Sequence, residues 1–443
     1  MGVEPQGESK IHRVLVAGGG AGGLELATKL GDTLGRRGLA RITLAERART
    51  HLWKPLLHEV AAGSLRRSQH ELNYLAQAHW HHFNYRYGEV IGVEREQRQL
   101  VLAAMCDEEG REITPLTRLP YDTLVMAVGS ITNDFGTPGA ARYAVPLDTP
   151  EQATRFNRRL VNAFLRANAQ PEPVRPGQLH VAIIGAGATG TELAAELHRT
   201  VRDVLAYGFD RIDPEHNVHI VLIEAADRIL PALPERISQA SARLLEKLGV
   251  EIRARSKVAE VRAQGVVLEN GDFLPAELVV WAAGVKAPAF LRDFGGLEVN
   301  RINQLMVTET LQTTLDPNIF AIGDCACCLR PDGSAIPPRA QAAHQMASHM
   351  VAQVRARLEH RPLRPFRYRD FGSLVSLGKY STVGNLMGAL FGRNMMIEGL
   401  FARLMYRSLY KMHQAALHGG GAVLWRSLGG FLESRPTPTV KLH

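Results

Sequence analysis

VAIIGAGATGTELAAEL, residues 181–197, reads as a strand, a glycine turn and a helix in immediate succession. Its opening residues are apolar and largely β-branched, the pattern of a parallel strand buried on both faces. Gly185, Gly187 and Gly190 then spell G-x-G-x-x-G. In that motif the glycines make a tight turn, let the backbone approach a pyrophosphate, and let helix pack closely on strand. The helix N-terminus adds free N–H groups and a partial positive charge for the phosphates. The same layout occurs earlier in the chain: VLVAGGGAGGLELATKL, residues 14–30, carries Gly18, Gly20 and Gly23. Each copy leads to a further strand that ends in an acid. ARITLAE ends in Glu46 and VHIVLIE in Glu224, the second delayed by a longer segment at 198–217. An acid at that place accepts hydrogen bonds from ribose hydroxyls. One such motif is weak evidence, because glycines also mark plain turns. Two copies, each between strand and helix and each followed by an acid-ended strand, imply two bound dinucleotides. Hydride transfer needs a donor and an acceptor in contact, so FAD and NAD(P)H are the expected pair.

The bulk properties fit. A chain of 443 residues exceeds one ordinary core, so two or three domains are expected. Hydrophobic content of 45% and charged content of 22% are those of a folded soluble protein. A net charge of +8 suits anionic ligands or an anionic membrane face. There is no long Lys/Arg run or recognition motif, so no nucleic-acid partner is expected. The four cysteines are Cys106, Cys325, Cys327 and Cys328. Only one CxxC exists, without a second pair at metal spacing, and no secreted disulfide framework is suggested, so no metal site is expected. The cluster HWHHF at 79–83 reads as surface residues. The N-terminal MGVEPQGESKIHR lacks the apolar core of a signal peptide. No apolar run reaches 18 residues, so no spanning helix is expected.

Three more strands precede glycine turns. YDTLVMAVGS (121–130) and AELVVWAAGV (276–285) read as crossovers between nucleotide domains, and NIFAIGDCA (318–326) ends in Gly323 and Asp324. With this GD the chain resembles the flavoprotein oxidoreductases that carry two dinucleotide-binding domains. The resemblance implies that Asp324 bonds the FAD ribityl chain; capping of a following helix is the plainer reading, and the two are compatible. HLWKPLLHEVAAGSL (51–65), RAQAAHQM (339–346) and YKMHQAALHGG (410–420) narrow this to type II NADH dehydrogenase, the single-subunit NADH:quinone oxidoreductase, over about 11–420. AQAAHQ matches the quinone-site pattern AQxAxQ of that family at Ala340, Gln341, Ala343 and Gln345. Segments 161–178 and 329–336 match less closely.

The resemblance implies an enzyme that moves hydride from NADH to FAD and electrons to a membrane quinone without pumping protons. It implies an FAD set of Gly18, Gly20, Gly22, Gly23, Glu46, Arg47, Lys54, Val90, Gly129, Asp324, Ala340, Gln341 and Lys379. Lys54 and Lys379 also read as solvated charges. The NADH set is Gly185, Gly187, Gly190, Glu224 and Gly284. Glu192, Gln341 and Gln345 are the candidate catalytic residues; Glu192 also reads as a first-turn acid complementing the helix dipole. NADH is expected over NADPH, with Arg228 near Glu224 softening the preference. Disulfide reductases of this fold carry a CxxxxC after the first turn, where this chain has LWKPLLHEVAAG. Cys325 is therefore expected as a small buried residue, and Cys327 and Cys328 as helix filler. Rival readings are a sulfide:quinone or ferredoxin-type reductase of the same fold, and an NADH-sensing flavoprotein with an interaction role.

Past the second nucleotide fold, Met396, Ile397, Leu400, Phe401, Leu404, Met405, Leu409 and Met412 recur at helical spacing, with Arg403, Arg407 and Lys411 toward another face. AVLWRSLGGFL follows, bringing Trp425 and Arg426. This reads either as a packing helix or as an interfacial amphipathic helix. The expected architecture is α/β: two Rossmann-like domains and a C-terminal amphipathic membrane-associating segment. FAD would take 10–150 and 301–370, NADH 151–300, and the membrane end 371–443. The expected place is the cytoplasmic face of the cell inner membrane, bound peripherally, with homodimerisation open.

Overall fold

The computed structural model describes residues 11–205, 208–377, 381–386 and 395–398, and the single positions Tyr410, Gln414 and Leu417. The chain divides into two compact units. The first comprises Met1–His51, Glu71–Ile131 and Lys286–Tyr368; the second comprises Leu52–His70, Thr132–Val285 and Arg369–His443.

The first unit is built on a sheet whose described strands run, in spatial order, Ala326–Cys328, Leu305–Val307, Gln312–Thr313, Asp316–Ala321, Thr123–Met126, His12–Ala17, Ala40–Glu46 and Asn84–Tyr87. The last five of these are mutually parallel. Their buried stretches are apolar, residues 14–17, 124–126 and 319–321 above all, as a sheet covered on both faces requires. His12–Ala17 leads through the first glycine turn into the helix Ala21–Leu30. The helix Ala340–Leu358 packs against that helix.

The second unit repeats the plan. Its sheet runs Val145–Pro146, Leu278–Trp281, His180–Ile184, His219–Ile223 and Val250–Arg253, all parallel. His180–Ile184 feeds the second turn and the helix Ala188–Leu205. One apolar core joins Leu193 and Leu197 of this helix to Phe156 and Phe164 of Pro150–Ala169 and to Val375 and Leu377.

Four expectations need correction. Thr123–Met126 and Leu278–Trp281 are not crossovers; each is a strand inside its own unit's sheet, and only the glycine turns after them leave it. Ala326–Cys328 is a strand paired with Leu305–Val307, so Cys327 and Cys328 are not helix filler. No helix starts after Asp324 either: Gly323–Cys325 is a single 3-10 turn that runs into this strand, so the capping reading falls. Three residues could not reveal a strand whose partner lies some twenty positions upstream. The helical stripe does not begin at Met396, because Met395–Glu398 is a strand paired antiparallel with Ser381–Leu386, itself paired with Ser373–Leu377. The rest of the C-terminal stripe lies outside the described residues apart from Tyr410, Gln414 and Leu417, which are helical. Leu417 is buried, the Tyr410 hydroxyl lies 3.0 Å from His70 Nδ1, and the Tyr410 ring lies against Trp53, so this face packs on the second unit.

Candidate active site

The two glycine turns match almost atom for atom. Gly18 donates its N–H to the Ala45 carbonyl and Gly185 to that of Ile223, both at 2.8 Å. Both glycines hold left-handed φ, +104° and +100°. A Cβ on Gly18 would lie 2.5 Å from the Ala127 carbonyl oxygen, and one on Gly185 2.6 Å from Ala283 Cα. A Cβ on Gly23 would collide with the Gly18 carbonyl oxygen, and one on Gly190 with that of Gly185. Gly20 and Gly187, by contrast, face open space. The acids repeat as well. Glu46 accepts the N–H of Gly19 at 2.6 Å and of Ala48 at 2.9 Å. Glu224 accepts those of Ala186 at 2.8 Å and Ala226 at 2.9 Å. Each carboxylate thus clamps its turn and keeps further lone pairs for a ribose. No side chain caps the helix Ala21–Leu30, which leaves its first N–H groups for an anion. Both turns therefore fit a dinucleotide pyrophosphate.

In the first unit further expected residues converge. A Cβ on Gly22 would touch the Ala343 carbonyl oxygen at 3.1 Å, and one on Gly323 the Ala343 Cβ at 3.3 Å. The AQAAHQ end of Ala340–Leu358, with Ala340, Gln341 and Gln345 half-buried, is thereby set against both the first turn and the GD turn. Asp324 Oδ2 accepts the Ser130 hydroxyl at 2.7 Å, just past Gly129, whose φ is +69°. Tyr74, stacked on Tyr85, donates its hydroxyl to the Gly19 carbonyl at 2.7 Å. Val90 is buried in the hairpin of Val90–Glu94 with Gln99–Leu102. Arg47 pairs with Glu89 at 3.0 Å in an exposed ion pair.

In the second unit Glu192, only 5% exposed, lies on the helix after the second turn. His58 Nδ1 approaches its Oε2 at 3.5 Å, and burial lowers the His58 pKa to about 4. His58 is therefore neutral at pH 7, and Glu192 is buried beside it. One turn on, Glu196 is ion-paired with Arg199, which also bonds Asp203. Lys54 belongs to this unit, where it pairs with Asp148 at 3.3 Å. Gly284 follows Leu278–Trp281 with φ +65°. Arg228 spends its guanidinium on the carbonyls of Pro231 and Leu233. Lys379 lies outside the described residues. His58, Ser130 and Tyr74 escaped sequence reasoning because each meets its partner across more than fifty residues. Burial pushes the Cys325 thiol up to about 12 and the Cys328 thiol to about 11, which leaves both protonated and unreactive.

Residues 12–347 match the family profile of pyridine nucleotide-disulphide oxidoreductases. The chain is 42% identical to the type II NADH:quinone oxidoreductase of Haemophilus influenzae, over 98% of this chain and 100% of that protein. It is 29% identical to the type II NADH:quinone oxidoreductase Ndh of Mycobacterium tuberculosis, over 85% of this chain and 80% of the relative. Among solved structures, NDH2 of Plasmodium falciparum in complex with NADH shares the fold with a TM-score of 0.81 at 18% identity, over 98% of this chain and 100% of that one. The sulfide:quinone oxidoreductase of Aquifex aeolicus shares it with a TM-score of 0.70 at 17% identity, over 96% of each chain.

Proposed function

We infer that this chain, which belongs to the type II NADH:quinone oxidoreductases within the pyridine nucleotide-disulphide oxidoreductase family, oxidises NADH and reduces a quinone. FAD, when held by the first turn, Glu46 and Asp324, would supply the redox chemistry between NADH and the quinone. The observation that carries the reading is the duplicated turn and acid clamp, with the AQAAHQ helix packed on the first copy.

We assign FAD to the first unit and NADH to the second. Gly20, Gly22 and Gly23 line one pyrophosphate and Gly187 and Gly190 the other, while Gly18 and Gly185, whose N–H groups bond the Ala45 and Ile223 carbonyls, make the tight turns that let the backbone approach it. Glu46 and Glu224 orient the two riboses. Asp324, steadied by Ser130, holds the ribityl chain, with Arg47, Val90, Gly129 and Ala340 around the same cofactor. Gln341 and Gln345 orient the quinone. Glu192, buried beside His58, takes part in NADH and quinone turnover. Lys54 and Lys379 remain candidate flavin contacts. Among the described residues no helix is long and apolar enough to cross a membrane. Our reading is peripheral attachment on the cytoplasmic face of the inner membrane through the segment after Glu398.

The high thiol pKa of Cys325 and Cys328 weighs against the sulfide:quinone rival, which needs thiolates. The test uses the purified full chain without oxygen. NADH should bleach the flavin absorbance, and a water-soluble quinone should restore it with multiple turnovers. A folded, flavin-free preparation that still oxidises NADH overturns the reading; reduction without quinone turnover favours a sensing role. Sedimentation of the same preparation distinguishes monomer from homodimer.

A further inference from the structure

Phe135 is a large aromatic residue left 67% exposed, on left-handed backbone with φ 52° that non-glycine residues rarely adopt. Its surroundings pin it there. Asn133 Oδ1 accepts the Phe135 N–H at 3.0 Å, and Asp134 takes the N–H groups of Gly136 and Thr137. Asn133 donates its N–H to the Gly284 carbonyl at 3.3 Å. The buried Trp281 indole N–H reaches both the Asn133 carbonyl, at 2.9 Å, and the Ala283 carbonyl, at 3.0 Å. The Phe135 ring lies so close over Gly284 that any Cβ there would collide with it. One side of the ring rests on Gly284, while two thirds of the residue stays open to solvent.

The position has a meaning in the second unit's sheet. Leu278–Trp281 and His180–Ile184 are parallel neighbours with Ile184 opposite Trp281, so both end at the same edge. The chain leaves His180–Ile184 toward His219–Ile223 on the far side, so strand order reverses between these two neighbours. In open parallel sheets a ligand lies in the crevice outside the strand ends at such a switch point. Glu224, ending His219–Ile223, marks the adenosine side of that crevice. Gly284 and Phe135 stand on the opposite side, where the nicotinamide half must run.

We propose that Phe135 is a substrate-binding residue of this reaction: its ring packs on the nicotinamide-ribose half of the dinucleotide as that half passes over Gly284. The proposal rests on the assignment of NADH to the second unit. Ring-on-ring packing of this kind predicts roughly threefold to tenfold weaker binding when the ring is removed. The test is equilibrium titration of the FAD-loaded, oxidised protein with NAD⁺, which binds without turnover, and separately with ADP-ribose, which lacks the nicotinamide. Phe135→Ala and Phe135→Leu should weaken NAD⁺ by that factor, leave ADP-ribose unchanged and raise KM for NADH; Phe135→Tyr should restore all three. If both ligands bind the wild type and Phe135→Ala leaves NAD⁺ unchanged, the proposal is overturned while the site stands. Equal weakening of both ligands also overturns it, since the ring would then only shape the turn. If neither ligand binds the wild type, the assignment of NADH to this unit fails instead.

Discussion

At Gly23 and Gly190 a single methyl group would strike the carbonyl oxygen of the glycine that opens the turn. Forcing atoms into such a packed place costs about 1–3 kcal/mol, and each ~1.4 kcal/mol is tenfold in affinity. Gly23→Ala should therefore yield folded protein depleted of flavin. Gly190→Ala should retain flavin but raise KM for NADH about tenfold. Flavin content and steady-state kinetics check both, and flavin loss from the Gly190 variant would contradict the assignment of the turns. Glu224 predicts preference for NADH, because a carboxylate repels a 2′-phosphate at a like-charge cost of several kcal/mol. Arg228 is held by two backbone carbonyls, so it softens this less than its place in the sequence suggests. Glu224→Gln should narrow the NADH to NADPH ratio of kcat/KM about tenfold or more. It should also raise KM for NADH, since one clamp to a turn N–H is lost. The glycines were legible because strand, turn and helix follow one another directly in the chain; the acids were legible as the ends of the next strands, but their bonds back to the turns, across 27 and 38 residues, were not. The fate of the Arg228 side chain was not, since it depends on which carbonyls the following loop turns inward.

Among the elements, the C-terminal region changes most between sequence and structure. A cut before Met395 would remove the third strand of an antiparallel sheet, so the informative truncation ends at Glu398. The removed segment holds Arg403, Arg407, Lys411 and Arg426. Each basic group near an anionic bilayer contributes about 1 kcal/mol. The truncated protein should no longer co-sediment with anionic vesicles, and should lose more activity with a long-tailed quinone than with a soluble one. Vesicle binding equal to that of the full chain would make the segment a packing element. Some packing is already visible, because Tyr410 lies against Trp53 and His70 and Leu417 is buried. The truncation should accordingly also lower the melting temperature. The apolar spacing in this region was legible, but spacing alone could not separate a strand of four residues from the start of a helix. The choice was made by hydrogen bonds to Ser381–Leu386, which the apolar spacing of the segment itself does not report.

Among the described residues two histidines, one in each unit, are buried as neutral groups. Burial lowers the pKa of both His51 and His58 from 6.5 to about 4. Unfolded histidine binds its proton near pH 6.5. Below that pH the unfolded chain takes up protons that the folded chain refuses, so stability falls with pH until about pH 4. Above pH 6.5 neither group contributes a slope. The loss should approach about 2 kcal/mol per histidine between pH 7 and pH 5. Thermal melts across that range check it, and His58→Asn should flatten the slope; an unchanged slope would show that His58 is not buried neutral. Neither histidine stood out in the sequence, because nothing local marks a residue as enclosed. By itself the sequence determined two dinucleotide folds and their glycine turns, because a strand, a turn and a helix in immediate succession are set by physics that acts within a few residues. Tertiary structure alone decided the niche of Glu192 and His58, the Ser130 bond to Asp324, the strand at Met395–Glu398 and the ring of Phe135 on Gly284. Those contacts join residues far apart in the chain, and only the packing of sheets and helices brings them within reach.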